Sequence, residues 1–179
     1  MGRNRYRFGE TSSPYFLTCT IVEWLPIFSS KQHADIVLDC WRFMHTERDI
    51  RTLAWVLLEN HLHWIAAGKD LAKRVGEFKS YTARRIIDTL VEAQRSSVLQ
   101  RLKDAAWASH ADQEHKIWQH GSYPKLIETD EVMWQKIEYI HNNPLRRGYG
   151  YVDDPTHWRY SSARTYAGQP GLLPVLTDW

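Results

Sequence analysis

A strand-rich stretch from Leu53 to Ala66 encloses Asn60-His61-Leu62-His63-Trp64, and this pattern limits the fold more tightly than any other in the chain. On a strand, residues i and i+2 point to one face. The two imidazoles therefore emerge side by side, while Leu62 and Trp64 point the other way into a core. Asp49–Leu58 reads as one strand, Glu59-Asn60 as a tight turn or bulge, and His61–Ala67 as the return arm of a hairpin. Two neutral imidazoles on rigid backbone can hold one divalent metal if a third ligand arrives from elsewhere. A solvent-facing strand edge carries the same pair with no function, and for an isolated His-x-His that is the commoner case. Other segments have to decide between the two.

Tyr15–Val22, β-branched and aromatic after the turn signal Ser12-Ser13-Pro14, reads as a preceding strand. Lys31–Thr46 carries Ile36, Val37, Cys40, Trp41 and Met44 at helical spacing. The longest helical pattern runs from Leu71 to about Arg95, with Leu71, Val75, Phe78, Ile86 and Leu90 along one side. Its other faces carry Lys73, Arg74, Lys79, Arg84 and Arg85. Ser96–His115 is polar and reads as a connection or a frayed helix extension, and Ile117–Tyr123 as a short strand or extended piece ended by Pro124. Asp130 is the expected N-cap of a helix over Glu131–Asn142, whose core stripe is Met133, Ile137 and Ile140. Pro144 stops that helix near Asn143. From about residue 150 a tail rich in Pro, Gly, Trp and Tyr is expected to wrap over the domain. Strand-helix-strand-strand-helix-strand predicts an α+β fold in one domain spanning 1–179: a ferredoxin-like antiparallel sheet with helices on one face, His-x-His on a sheet strand. That topology by itself carries no function.

At 179 residues the chain is long enough to bury a core of its own. No apolar run reaches the length that spans a bilayer, and the start, Met1 to Arg7, lacks the apolar centre of a signal peptide. The two cysteines, Cys19 and Cys40, have neither metal nor redox spacing, so an intracellular, cytoplasmic protein with free thiols is expected. A net charge of +2 decides nothing, but its distribution is informative. Arg3, Arg5 and Arg7 interleave with Tyr6 and Phe8, Lys79, Arg84 and Arg85 surround Tyr81, and Arg146, Arg147, Arg159 and Arg164 lie among aromatics. Cations mixed with aromatics suit phosphate contact and base stacking. The plain alternative is that the nine tryptophans fill the core and the arginines solvate the surface.

On the 130–143 helix, Tyr139 lies about a third of a turn from the apolar stripe, and Asn143, at i+4, shares its face. A tyrosine beside a core stripe commonly just packs, and an Asn before Pro commonly just stops a helix. A phenol and a carboxamide stacked one turn apart also meet the needs of a nucleophile with a neighbouring metal ligand. Both readings stand on the residues alone.

Asn60-His61-Leu62-His63, Phe78-Lys79-Ser80, Trp118-Gln119-His120, Tyr139-Ile140-His141-Asn142-Asn143-Pro144-Leu145-Arg146-Arg147-Gly148 and Trp158-Arg159-Tyr160-Ser161-Ser162-Ala163 occur in one order. Together they resemble the IS200-like single-tyrosine (HUH) transposases, most closely the REP-associated tyrosine transposase subgroup. The resemblance runs from the first strand to about Ala167, and the Tyr-Ile-His-x-Asn-Pro block is its most specific part. One departure is that Leu58-Glu59 stands where the family commonly has Pro before Asn-His. That alters the turn rather than the ligands.

The resemblance implies a metal-dependent endonuclease and strand transferase acting on single-stranded DNA at hairpin or REP-like palindromic sites. It puts the metal histidines at His61 and His63, the nucleophile at Tyr139 and the third ligand at Asn143. It implies a Mg²⁺ or Mn²⁺ cofactor and a covalent 5′-phosphotyrosine intermediate. A free phenol has a pKa near 10, so the tyrosine needs help to lose its proton, and no base is legible; His141 lies on another face. Expected backbone contacts are Lys79, Arg84, Arg85, Arg146, Arg147 and Arg159. Tyr81 is a rival nucleophile whose i+4 neighbour, Arg85, cannot ligate a metal, and His120 and Glu59 are conceivable extra ligands. The chain is expected to act as a monomer or homodimer. The competing function is a non-catalytic single-stranded nucleic-acid-binding module on the same sheet.

Overall fold

The structure is a computed structural model, and it describes residues 12–146 and 150–179. The N-terminal arm with Arg3, Arg5 and Arg7, and the segment Arg147, Gly148 and Tyr149, lie outside the described residues. The principal elements follow in the order β1 (Tyr15–Thr20), α1 (Lys31–Glu47), β2 (Arg51–Leu57), β3 (His61–Ala67), α2 (Leu71–Glu92), α3 (Ser96–Ala108), β4 (Lys125–Leu126), α4 (Asp130–His141) and α5 (Ala163–Tyr166). The strands form one antiparallel sheet ordered β2-β3-β1-β4, the ferredoxin-like arrangement that the element order predicts. No helix among the described residues is long and apolar enough to cross a membrane.

Alternation along the strands sorts the core into two layers. On one face Leu17, Cys19, Trp55, Leu62 and Trp64 meet Val37 and Trp41 of α1 and Val75 and Phe78 of α2. α4 does not join those helices. Its Met133, Ile137 and Ile140 pack with Phe16, Val56 and Ile65 on the opposite face. Covering that second face buries every residue of β3, both histidines included. Register in β2 shifts between Thr52, opposite Ala66, and Ala54, opposite Ile65. The bulge leaves Thr52 Oγ1 facing the α1/α2 side, where it accepts the Trp64 indole N–H at 3.1 Å.

Several local expectations change. Ser96–Ala108 is a true helix, α3, anchored by the i, i+4 pair Leu102 and Ala106; so short a stripe hides in a polar segment. The expected strand 117–123 follows β1 irregularly, through Val22 N–H to Ile117 O and Thr18 N–H to Ser122 O, both 2.9 Å. Positive φ at Gly121 (80°) and Tyr123 (45°) breaks the pleat, so regular pairing is confined to β4 after Pro124. Thr129, not Asp130, caps α4, its side chain accepting from Val132 N–H at 3.3 Å, while Asp130 sits in the first turn. The tail runs beside the outer edge of β2: Leu57 N–H donates to Tyr160 O and Ser162 N–H to Trp55 O, each at 2.9 Å. Cys19 and Cys40 are free, buried thiols, and burial pushes them up to about 11 and about 12.

Candidate active site

β1 and β3 pair with Thr18 opposite His63 and Thr20 opposite His61, so the histidines stand on the α4 side of the sheet. Their ring centroids are 5.0 Å apart. His63 Nδ1 lies 2.9 Å from Thr18 Oγ1, and His61 Nδ1 lies 2.8 Å from Asn60 Oδ1. A carboxamide oxygen only accepts, so the His61 proton sits on Nδ1. Burial lowers the pKa of His61 to about 4. Burial, then His61, Arg146 and Lys136, lower that of His63 to about 3. Both rings are therefore neutral near pH 7, the form that binds metals.

α4 lays Tyr139 against this pair, its ring 5.1 Å from His63 and edge-on to Phe16 at 5.7 Å. Phe16 in turn stacks on His63 at 5.3 Å. The Arg146 guanidinium lies over the phenol ring, 3.9 Å from its centroid, and Lys136 Nζ lies 5.8 Å from it. Asn143, in the helical turn that continues α4, is only 2% exposed. Among the described residues no group of three His, Cys, Asp or Glu forms a metal site. Neither His120, which is exposed, nor Glu59 joins the pair in such a group. Two imidazoles and a buried carboxamide are a donor set that fits a divalent ion.

Sequence reasoning missed part of the site. Tyr123, Lys125 and Lys136 line a cavity of about 290 Å³ together with Phe16, Thr18 and Tyr139. Lys136 had a signal, the i−3 spacing that puts it on the Tyr139 face. Lys125 and Tyr123 had none, because only the path of the 117–126 edge brings them there.

Other expected site residues lie elsewhere. Lys79 and Arg84 line a separate cleft of about 530 Å³ between α2 and residues 113–121, on the far side of the sheet from Tyr139. Lys79 Nζ donates to Gln119 O at 2.7 Å and Gly121 O at 2.6 Å, so it ties the edge segment down. Arg85 is exposed on the same helix, and Arg159 is exposed on the tail beside β2. Tyr81, the rival nucleophile, borders an apolar pocket with Phe43, Met44 and Phe78, also away from the histidines.

His141 is directed to α5, with Nε2 2.8 Å from Ser162 Oγ and its ring 5.0 Å from Tyr166. Burial lowers its pKa from 6.5 to about 4. Above pH 6.5 both folded and unfolded forms are neutral. Between 6.5 and about 4 only the unfolded chain takes the proton, so stability falls as pH drops through that window, then levels off. The expected loss is on the order of 3 kcal/mol. Urea melts between pH 7 and pH 4 should show a shallower decline for His141→Gln than for wild type. Equal slopes would remove His141 from the acid response, and the difference isolates it from the other buried histidines.

No family model matches the chain, and no curated protein matches it. Among solved structures it is similar to a REP-associated tyrosine transposase bound to a REP hairpin, with 18% identity and a TM-score of 0.62 over 100% of this chain and 91% of that one. A putative transposase from Deinococcus radiodurans R1 aligns over 79% of this chain and 97% of its own, with 18% identity and a TM-score of 0.45. At this identity the likeness is one of architecture: the chain has the fold of the REP-associated tyrosine transposase.

Proposed function

We propose that this protein is a single-tyrosine transposase of the REP-associated kind, cutting and rejoining single-stranded DNA at hairpin or palindromic sites. The observation that carries the reading is the Tyr139 ring seated 5.1 Å from His63, itself 5.0 Å from His61. Tyr139 Oη attacks the phosphorus, a bond forms between them, and the bond from phosphorus to the 3′-side oxygen breaks. The proton given up by the phenol is balanced by one taken up on the 3′-oxygen, which leaves as a hydroxyl. A 3′-hydroxyl from a second strand reverses the step, so bond energy is conserved without ATP.

The residues that would hold Mg²⁺ or Mn²⁺ are His61, His63 and Asn143. The ion, when bound, withdraws charge from the non-bridging oxygens of the scissile phosphate. The course of α4 supports Asn143 in that role. Lys136 reaches Phe16 and Tyr139 reaches both Phe16 and His63, so α4 advances along the sheet from the Ile65 level towards His61. One further helical turn advances about 6 Å, close to the roughly 6.6 Å that two strand residues span, so this course favours Asn143 as the residue that would join His61 and His63. Thr18 and Asn60 hold the ring orientations through Nδ1, so ligation would use Nε2. Arg146 and Lys136 place positive charge beside the phenol, where the phosphodiester and the phosphotyrosine carry negative charge.

Covalent trapping tests the reading. Wild-type protein is incubated with 3′-end-labelled single-stranded DNA carrying the palindromes that flank its own gene, with Mg²⁺ or Mn²⁺, and run on a denaturing gel. A labelled band at the protein's mass, lost on adding chelator, is expected. DNA bound on that substrate with no such band would make the protein a non-catalytic single-stranded nucleic-acid-binding module.

A further inference from the structure

We propose that Trp24 and Tyr123 are stacking platforms for unpaired nucleobases, one beside His61 and one in the cavity that Tyr139 lines; the proposal rests on reading the His61–His63–Tyr139 site as a single-stranded DNA site. The fold uses its large aromatics mostly inside, and Trp41, Trp55 and Trp64 are fully buried. Trp24 and Tyr123 are instead 54% and 52% exposed, and both border the site. The Trp24 ring stands edge-on to His61, with centroids 5.8 Å apart. Tyr123 lines the cavity that contains Tyr139, Lys125 and Lys136. Trp24, His61, His63 and Tyr139 therefore form a continuous line of ring contacts, with Tyr123 across the cavity beyond it.

The backbone under both platforms is unusual in the same way. Trp24 has φ 54° and Tyr123 φ 45°, the left-handed region that disfavours any residue with a Cβ. Such outliers persist only where neighbours over-determine them, and they concentrate at binding sites. Here the neighbours are visible. Glu23, itself at φ 52°, is held by Arg101 at 2.8 Å, and Trp24 N–H donates to Ile21 O at 3.2 Å. Asn60 Nδ2 donates to Trp24 O at 3.4 Å, while Oδ1 of the same amide orients His61. One side chain thus couples the Trp24 loop to the imidazole. On the other side, Ser122 O accepts from Thr18 N–H at 2.9 Å, which fixes the residue next to Tyr123 to the strand facing His63.

An exposed aromatic face beside cations suits a base with its phosphate, and Lys125, Lys136 and Arg146 supply the charge around Tyr139. Bases in a duplex are already stacked on one another and cannot use such a face. The platforms would therefore favour an unpaired strand across the site, which a cleavage step at single-stranded DNA requires.

The test measures binding of fluorescein-labelled oligothymidine, and of an abasic phosphodiester strand of equal length, to the full chain by anisotropy. Wild type is compared with Trp24→Ala, Trp24→Phe, Tyr123→Ala and Tyr123→Phe. Each Ala variant should lose about tenfold in affinity for oligothymidine and nothing for the abasic strand, with the Phe variants close to wild type. Both Ala variants matching wild type on oligothymidine would overturn the proposal, as would equal wild-type affinity for the two strands. The Phe variants guard against misfolding, because they keep the ring and change little else. Covalent trapping on the same proteins separates the two ideas. A Tyr139 adduct with no stacking effect sinks the platforms alone, whereas stacking without any adduct sinks the nuclease reading and leaves the platforms.

Discussion

Tyr139→Phe is expected to lose covalent attachment to single-stranded DNA by at least about 10³-fold, with DNA binding kept within a few-fold of wild type. The argument is that phenylalanine removes one atom and little else. The ring retains its edge contacts with His63 and Phe16 and its cover by the Arg146 guanidinium, so α4 has no reason to move. What disappears is the oxygen that would bond to phosphorus; the other hydroxyls lining the cavity belong to Thr18 and Tyr123, and Tyr123→Phe tests the second of them. Thr18 Oγ1 is engaged with His63 Nδ1. Tyr81→Phe supplies the contrast, because Tyr81 lies on α2 across the sheet and should leave the adduct at wild-type yield. Quantified denaturing gels, with equal protein and a Mn²⁺ series, make the measurement. An adduct surviving in Tyr139→Phe, or vanishing in Tyr81→Phe, would move the nucleophile off α4.

The hairpin and its histidines were legible because period-two alternation is a local property. His61 and Leu62 take opposite faces whatever the rest of the chain does, and β3 has the bounds the pattern predicts, His61–Ala67. The helical stripe of α4 was legible for the same reason, so Tyr139 and Asn143 were placed relative to each other. Which face of the sheet α4 covers was not local. It follows from Met133, Ile137 and Ile140 matching Phe16, Val56 and Ile65, a choice made only in three dimensions. The basic residues show the same division. Arg146 is reached by continuing the turn after Asn143, so sequence order found it. Lys79 reads as a cation on a basic helix, and its two hydrogen bonds to the carbonyls of Gln119 and Gly121, some forty residues away along the chain, are not legible from that helix. Lys125 and Tyr123 reach the cavity only because two positive-φ residues bend the edge segment. Local periodicity therefore brings out the histidine pair and the Tyr139 face, whereas Tyr123 and Lys125 join them only through the path of the edge segment.

Trp41→Ala should cost about 4 kcal/mol, a large part of the stability of a domain this size. Trp41 is 1% exposed and is the hub of the aromatic layer behind the sheet. It stacks on Phe78 at 5.8 Å and 8°, and meets Trp55 at 5.6 Å and Trp64 at 5.3 Å. α1, α2, β2 and β3 thus converge on one side chain. The indole N–H of Trp41 has no hydrogen-bond partner among the described residues, so its contribution is packing. A truncation there opens a cavity walled by three rings on three elements, α2, β2 and β3, which cannot all close in at once. Trp41→Phe, which keeps most of the ring area and forfeits no hydrogen bond, should cost much less, about 1–2 kcal/mol. Trp107→Ala is the surface control, because at 83% exposed it should shift stability by no more than about 0.5 kcal/mol. Equilibrium urea unfolding gives all three numbers, and near-equal midpoints for Trp41→Ala and Trp107→Ala would refute this account of the core. The consequence reaches the site because Trp64, adjacent to His63, is clamped from behind by Trp41. Loosening that clamp frees β3 to shift, and both imidazoles ride on β3.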